Sequence, residues 1–129
     1  MVISIRESKI NDKIYYFLKN LGSYKNFQYI AYIIVHNLKA EVIETVLGFD
    51  SLIIIFKKDN FEFRLAQDTY LETHLTLEHQ NNKDNNSLRI LANELLEIIK
   101  AKRRSYLARS KLKEIEKWFH TIFEKWFKA

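Results

Sequence analysis

Residues 42–78 read VIETVLGFDSLIIIFKKDNFEFRLAQDTYLETHLTLE, and this stretch decides the fold. Along residues 61–65 apolar and charged side chains alternate strictly, which is the period of a half-buried β-strand. The segments that read as strands are 42–47, 52–57, 61–65 and 71–78. The turns between them lie at 48–51, 58–60 and 67–68. Because strands joined by short turns pair with their neighbours in the chain, we expect an antiparallel meander.

Two of these strands carry further predictions. Residues 52–57 are apolar on both sides, so we expect this strand to lie inside the sheet. In the last strand, the leucines and Thr73 alternate with Glu72, His74, Thr76 and Glu78. This alternation predicts that the side with Glu72, His74, Thr76 and Glu78 faces water.

The residues before the meander predict two strands and a helix. Residues 2–7 alternate, which indicates a short strand, and residues 13–20 fit either a strand or a short helix. The aromatic content of the latter segment favours a strand. Apolar side chains between residues 27 and 38 recur every three or four positions, which predicts a helix with Ser23 near its start. The β-branched run Ile33-Ile34-Val35 argues for a strand instead, and we favour the helix.

The residues after the meander predict helical structure. A polar loop at 79–86 is followed by Ser87, a residue type that caps helix N-termini. Two apolar stripes with helical spacing follow, and a basic stretch separates them. The sequence leaves open whether one helix fills 87–128 or two helices meet near 105–110. A single helix would be roughly 60 Å long, which implies a bend or a partner.

Together these segments predict an α+β fold. We expect an antiparallel sheet of four to six strands, packed by one central helix and one or two C-terminal helices. The length of 129 residues fits one domain. Its strand-rich part with one helix is residues 1–85, and its basic helical part is residues 86–129.

Composition removes several function classes. The chain has no cysteine, which excludes disulfides, thiol catalysis and thiolate metal sites. Its two glycines cannot build a Walker or Rossmann phosphate loop, and we expect no cofactor. The first seven residues lack a basic region followed by a long apolar run, and the longest apolar runs are too short to span a bilayer. We therefore expect a cytoplasmic protein and no membrane partner.

The net charge of +5 is unevenly distributed. Residues 1–85 carry 10 basic and 11 acidic side chains, whereas residues 86–129 carry 11 basic and 5 acidic ones. An uninterrupted basic run consists of Lys100, Lys102, Arg103, Arg104, Arg109, Lys111 and Lys113. Such a run is typical of helical arms that bind phosphates, and equally of a solvated helix end. Nucleic-acid binding through this run is the first alternative function.

Two further patterns suggest metal chemistry. Asp50, Glu62 and Arg64 resemble the Asp…Glu-x-Lys pattern of restriction-type nucleases, in which two carboxylates hold magnesium. Arg64 departs from that pattern, because an arginine stays protonated where the nuclease has lysine. Glu72 and His74, with Glu78 further along the strand, could together bind a metal, but no fourth ligand is evident. We expect no metal site and no enzymatic activity, with a metal-dependent nuclease as the second alternative.

The stretch from Phe27 to Glu78 resembles small bacterial immunity proteins, which neutralise toxins of the contact-dependent inhibition type. It has a helix, a strand, Gly48-Phe49-Asp50 and a meander that ends in Tyr70-Leu71-Glu72. The resemblance covers about half of the chain and is one of pattern, not of a diagnostic motif. It implies a cytosolic protein that blocks a toxin's active site by surface complementarity, and it names no functional residues. The basic C-terminal third departs from it, because nuclease inhibitors usually present acidic residues.

We therefore expect a non-enzymatic protein-binding module, with toxin immunity as the specific function. The acidic residues of the meander would share one side of the sheet and face a cationic partner. The predicted partner-binding residues are Glu44, Glu62, Arg64, Glu72, His74 and Glu78. The C-terminal helix, residues 111–129, carries Trp118, Phe119, Phe123, Trp126 and Phe127. We expect it to pack on the meander, with a homodimer seam as the alternative.

Overall fold

A computed structural model describes residues 2–48, 50–68, 72–106 and 108–126, with 124–126 described by their backbone alone. Some residues named in the sequence predictions lie outside the described part of the chain: Phe49, Tyr70, Leu71, Phe127 and the side chain of Trp126. The strands are β1 (Ser4–Ile10), β2 (Lys13–Lys19), β3 (Glu41–Leu47), β4 (Ser51–Lys58), β5 (Phe61–Asp68) and β6 (His74–Leu77). The helices are α1 (Tyr24–His36), α2 (Asn82–Tyr106) and α3 (Arg109–Trp126).

The six strands form one antiparallel sheet, which confirms the predicted α+β fold with a meander. The strand order is β1-β2-β6-β5-β4-β3, so the meander β3 to β6 is intact and the β1–β2 hairpin extends it beside β6. The segment that the sequence left between strand and helix folds as β2, in a tight hairpin with β1. Its turn residues Asn11 and Asp12 have φ angles of 50° and 65°, as a two-residue hairpin turn of type I′ requires.

Helix α1 begins where the sequence predicts. The side chain of Ser23 accepts a hydrogen bond of 3.1 Å from the backbone amide of Asn26, which satisfies one of the free donors at the helix start. Every residue from Asn26 to Ile34 is buried. An α-helix tolerates the β-branched run here because burial between the sheet and the other two helices outweighs its weak local preference.

The C-terminal part consists of two helices, and the first begins earlier than predicted. The side chain of Asn81 accepts a 2.8 Å hydrogen bond from the amide of Asp84 and donates one of 2.8 Å to the Asp84 carboxylate. This reciprocal cap replaces the predicted cap at Ser87, which lies inside α2 and donates to the carbonyl of Lys83. The prediction was wrong because a polar surface turn of α2 looks the same in sequence as a loop.

One hydrophobic core joins the strand-rich and helical parts. On the sheet it comprises Leu18, Ile54, Phe56, Phe63, Leu65, Leu75 and Leu77, together with Tyr16 and Phe61. Helix α3 contributes Ile115 and Phe119, and the Phe119 ring contacts Phe27 of α1 edge-to-face at 5.9 Å. The described aromatic residues of the C-terminal helix therefore pack on α1 as well as beside β3. Within the described chain, no helix is long and apolar enough to cross a membrane.

Candidate functional site: the helix-free face of the sheet

The side of the sheet opposite the helices forms a distinct surface, which we call the helix-free face. Its central residues come from five strands: Arg6, Tyr15, Phe17, Ile53, Ile55, Arg64, Ala66, His74 and Thr76. None of them belongs to the core beneath the helices. Among the residues that the structure describes, no helix packs on this side, so its outer groups are available to a partner.

The centre of this face is nevertheless buried. Phe17, Ala66, His74 and Thr76 are each at most 5% exposed. The prediction that His74 and Thr76 face water was wrong, because β6 lies between β2 and β5 and the longer side chains of those strands surround it. Sequence alternation shows which side a residue occupies but not how well its neighbours cover it.

The six predicted partner-binding residues all lie on or at the edge of the helix-free face. They are Glu44, Glu62, Arg64, Glu72, His74 and Glu78. For Glu44 this placement depends on an irregularity in β3. Val42 pairs with Phe56 and Glu44 with Ile55, so Ile43 is an extra residue that reverses the alternation. Without this bulge, Glu44 would share the side of Val42.

Two ion pairs lie on this face. Arg64 donates from Nε to Oε1 of Glu78 at 2.5 Å and from Nη2 to Oε2 at 3.1 Å. This two-point contact raises the pKa of Arg64 and lowers the pKa of Glu78, each chiefly through the hydrogen bond to the other. Lys19 binds Glu72 at 2.7 Å. Two of the four predicted acidic residues are therefore neutralised within the protein.

The remaining charges divide the face into two halves. Glu41, Glu44 and Glu62 are exposed on the β3–β5 half, where Lys57 lies directly across from Glu62. The β1–β2 half instead carries the cations Arg6 and Lys13, next to Lys19, which is paired with Glu72. Strand order creates this separation, because the β1–β2 hairpin extends the sheet beside β6, whereas β3 forms the opposite edge. No pattern in the sequence indicates that residues of β1 and β2 belong to this face.

His74 is held rigidly in the centre of the face. Its Nδ1 lies 2.8 Å from the backbone carbonyl of Glu72, and its ring meets Tyr15 edge-on at 5.2 Å and Phe17 at 5.7 Å. Burial lowers its pKa, and the carbonyl contact opposes this shift. A neutral ring that donates from Nδ1 keeps Nε2 as a hydrogen-bond acceptor.

A small cavity opens beside His74. It has a volume of about 180 Å³ and is surrounded by Lys13, Tyr15, Ser51, Ile53, Arg64, Ala66, Asp68, His74 and Thr76. Ala66 lies directly across from Ile53 on β4 and from His74 on β6. Because the alanine side chain is a single methyl group, these larger neighbours enclose a space above it.

The residues of the alternative nuclease hypothesis are not brought together. Asp50 precedes Ser51 at one end of β4, whereas Glu62 pairs with Lys57 near the other end. At about 3.3 Å per residue, the two carboxylates are roughly 20 Å apart and cannot share an ion. In the described ranges, no group of three His, Asp or Glu residues is positioned to hold a metal.

The predicted basic run surrounds the corner between α2 and α3. Five of its side chains are exposed there: Lys100, Lys102, Arg104, Arg109 and Lys113. The other two belong to the aromatic layer between the helices. Lys111 lies 4.9 Å from the ring centre of Tyr32 and 5.6 Å from that of Tyr106, and Arg103 lies close to the Tyr29 hydroxyl.

Comparison of the chain with family models, with curated proteins and with solved structures gave no match.

Proposed function

We propose that this protein is a non-enzymatic binding protein whose helix-free face engages a protein partner, and that it acts as an immunity protein that neutralises a bacterial toxin. One observation carries the proposal. The face has a tightly packed centre that includes Phe17 and Ile55, a border of exposed charged side chains, and no described helix over it. The central guanidinium of Arg64 is neutralised by Glu78, and a centre with little net charge inside a polar rim is the usual anatomy of a protein interface.

The size of the face suits this role. Six strands spaced about 4.8 Å apart, all about 23 Å or more long except the four-residue β6, give a plane on the order of 550 Å². The projecting rim side chains enlarge the accessible area. A standard interface buries roughly 800 Å² on each partner, so the face can supply most of one side of a specific complex.

The charge distribution defines the partner's chemistry. We expect the partner to place cationic side chains opposite Glu41, Glu44 and Glu62. Glu72 and Glu78 contribute less, because Lys19 and Arg64 already neutralise them. A toxin with a basic active-site cleft has the complementary surface.

The test compares two sets of charge reversals in the full-length protein. Purified toxin candidates encoded beside this protein's gene are titrated against the wild type, Glu44→Lys/Glu62→Lys and a matched control, Glu94→Lys/Glu97→Lys, whose sites are exposed on α2. We expect the face variant to bind at least about tenfold more weakly and the control to bind like the wild type. Hydrogen exchange of the complex should protect β2, β5 and β6.

Equal loss of affinity in both variants, or protection confined to the helices, would show that the helix-free face is not the binding surface. Inhibition of the toxin's activity in the same titration tests the immunity function separately from binding.

A second candidate function is nucleic-acid binding at the α2–α3 corner, supported by the five exposed cations there. Its test is fluorescence anisotropy with a single-stranded DNA oligonucleotide at several salt concentrations. A nucleic-acid binder should lose affinity steeply with salt, and Arg104→Glu/Arg109→Glu should reduce both the affinity and the salt slope. Salt-independent or undetectable binding would reject this candidate.

A further inference from the structure

The cavity above Ala66 lies where a partner bound to the helix-free face would meet it. Ala66 occupies the fourth of six strands in sheet order and is flanked along β5 by Arg64 and Asp68. Ala66 is 5% exposed, so the longer side chains of its neighbours cover most of it and form the walls of the cavity. Energetically dominant contacts of interfaces gather in such central pockets.

The lining is amphipathic and balanced in charge. Ile53 and Ala66 provide apolar surface and Ser51 provides a hydroxyl group, whereas the hydroxyl of Thr76 already donates to the backbone carbonyl of Ile14 at 2.8 Å. The lining cations Lys13 and Arg64 are opposed by Asp68 and by Glu78, which binds the guanidinium. An occupant with a full charge would therefore gain little, whereas an apolar body with a hydrogen-bonding tip matches both kinds of surface.

Two rings bring aromatic character to the same cavity. Tyr15 and His74 both line it, and their rings are fixed at an interplanar angle of 70°. A third ring entering beside them can adopt the edge-to-face or offset arrangements that aromatic groups favour. The volume of about 180 Å³ is below the 300–1,000 Å³ typical of drug-sized ligands, so the space suits a single side chain.

We propose that this cavity receives a tyrosine side chain of the protein partner as the anchor of the complex. The inference rests on the proposed function, since it needs a partner on the helix-free face. The tyrosine ring lies against Ile53 and Ala66, and its hydroxyl reaches the polar side of the lining. Tyrosine is among the residues most enriched at interface hot spots.

The test does not require the partner to be known. The probe is 4-methylphenol, the side chain of tyrosine, titrated into isotope-labelled full-length protein and followed by two-dimensional NMR. We expect saturable shifts of the backbone amides of Ile53, Ala66 and His74, with a dissociation constant in the millimolar range that suits so small a ligand. Acetate and guanidinium, which are smaller, are titrated as the charged probes.

A cavity-filling variant provides the matched comparison. Ala66→Leu places a larger side chain in the cavity and should weaken 4-methylphenol binding by at least about tenfold. Val46→Leu enlarges a side chain on the same face outside the cavity lining and should leave the titration unchanged. If Ala66→Leu is unfolded, Ala66→Val and the wild-type titration carry the same test.

Absent or unsaturable shifts with 4-methylphenol, shifts outside the cavity, or tighter binding of acetate or guanidinium would overturn the inference. With a partner in hand, Ala66→Leu should also reduce its affinity. Retained affinity in that variant, combined with loss in Glu44→Lys/Glu62→Lys, would reject the tyrosine anchor and leave the proposed function intact.

Discussion

Arg64 and Glu78 form a two-point ion pair on the helix-free face, with both side chains less than one-third exposed. The pair connects the middle of β5 to Glu78, the residue that follows β6. Arg64 lies directly across from Thr76, so its contact with Glu78, two positions further along, is a diagonal one. A partly buried pair of this geometry interacts more strongly than a surface pair, because solvent screens it less.

We predict a coupling energy of about 1–2 kcal/mol between these two residues. It is measured by urea unfolding of Arg64→Met, Glu78→Gln and the double variant, as a double-mutant cycle. The folded-state pKa of Glu78 is lowered, so the stabilisation is present above the ordinary value of 4.5 and is lost as pH falls through the folded value. Additive effects of the two substitutions at neutral pH would contradict this prediction.

His74 should make stability sensitive to mild acid. Burial lowers its pKa, so below the ordinary value of 6.5 the unfolded chain takes up a proton before the folded protein does. The free energy of unfolding should therefore decrease as pH falls from 6.5 towards the folded value. His74→Asn should remove this part of the pH dependence, measured by urea unfolding across that range, whereas the exposed control His120→Asn should retain it. The same pH dependence of the unfolding free energy in the wild type and His74→Asn would refute the role of His74.

Tyr16 should make stability fall at high pH. Burial, together with Glu7, raises the pKa of Tyr16 to about 12, from an ordinary 10.0. The contribution of Tyr16 to the free energy of unfolding is constant below pH 10.0 and decreases above it, where the unfolded chain ionises first. Tyr16→Phe should lessen this decrease. At neutral pH it should cost about 1 kcal/mol, because the hydroxyl donates to the carbonyl of Asn85 at 3.2 Å. Thermal unfolding of the wild type and Tyr16→Phe, at neutral pH and above pH 10.0, checks both predictions. An equal loss of stability at alkaline pH in the two proteins would contradict the role of Tyr16.

The start of α2 can be located by two alanine substitutions. Asn81→Ala should cost about 1 kcal/mol of unfolding free energy, because it removes the cap on the amide of Asp84. Ser87→Ala should change stability by less than about 0.5 kcal/mol, since Ser87 lies inside the helix and caps nothing. The reverse ranking in urea unfolding would place the helix start at the later residue.

Phe119 should be the main anchor of α3. It is 1% exposed and contacts Phe27 and Phe123, with ring centres 5.9 and 4.7 Å away. Phe119→Ala should cost about 3–5 kcal/mol and speed hydrogen exchange throughout α3. The neighbouring exposed residue supplies the control, His120→Ala, which should stay within about 0.5 kcal/mol of the wild type. Unchanged exchange in Phe119→Ala would show that α3 is held by other contacts.

Much of the candidate site follows from local pattern. The alternation along residues 61–65 places Glu62 and Arg64 on one side, and the same rule groups Glu72, His74 and Glu78. It does not reveal Tyr15 and Phe17, which reach this face only because β2 pairs with β6, some 60 positions away in the chain. Nor does it reveal the cavity, since an alanine in a strand gives no sign of what its neighbours enclose.

The sequence by itself determined the α+β class and the type of most elements, because periods of two and of three to four are local consequences of strand and helix geometry. It left residues 13–20 between strand and helix. Tertiary structure alone decided the position of the β1–β2 hairpin, the bulge that turns Glu44 outward, the burial of His74 and the pairing of Arg64 with Glu78. These features arise from contacts between distant segments. Such contacts are selected by the burial of apolar strand and helix faces against one another. The local sequence pattern does not show which distant segments will meet.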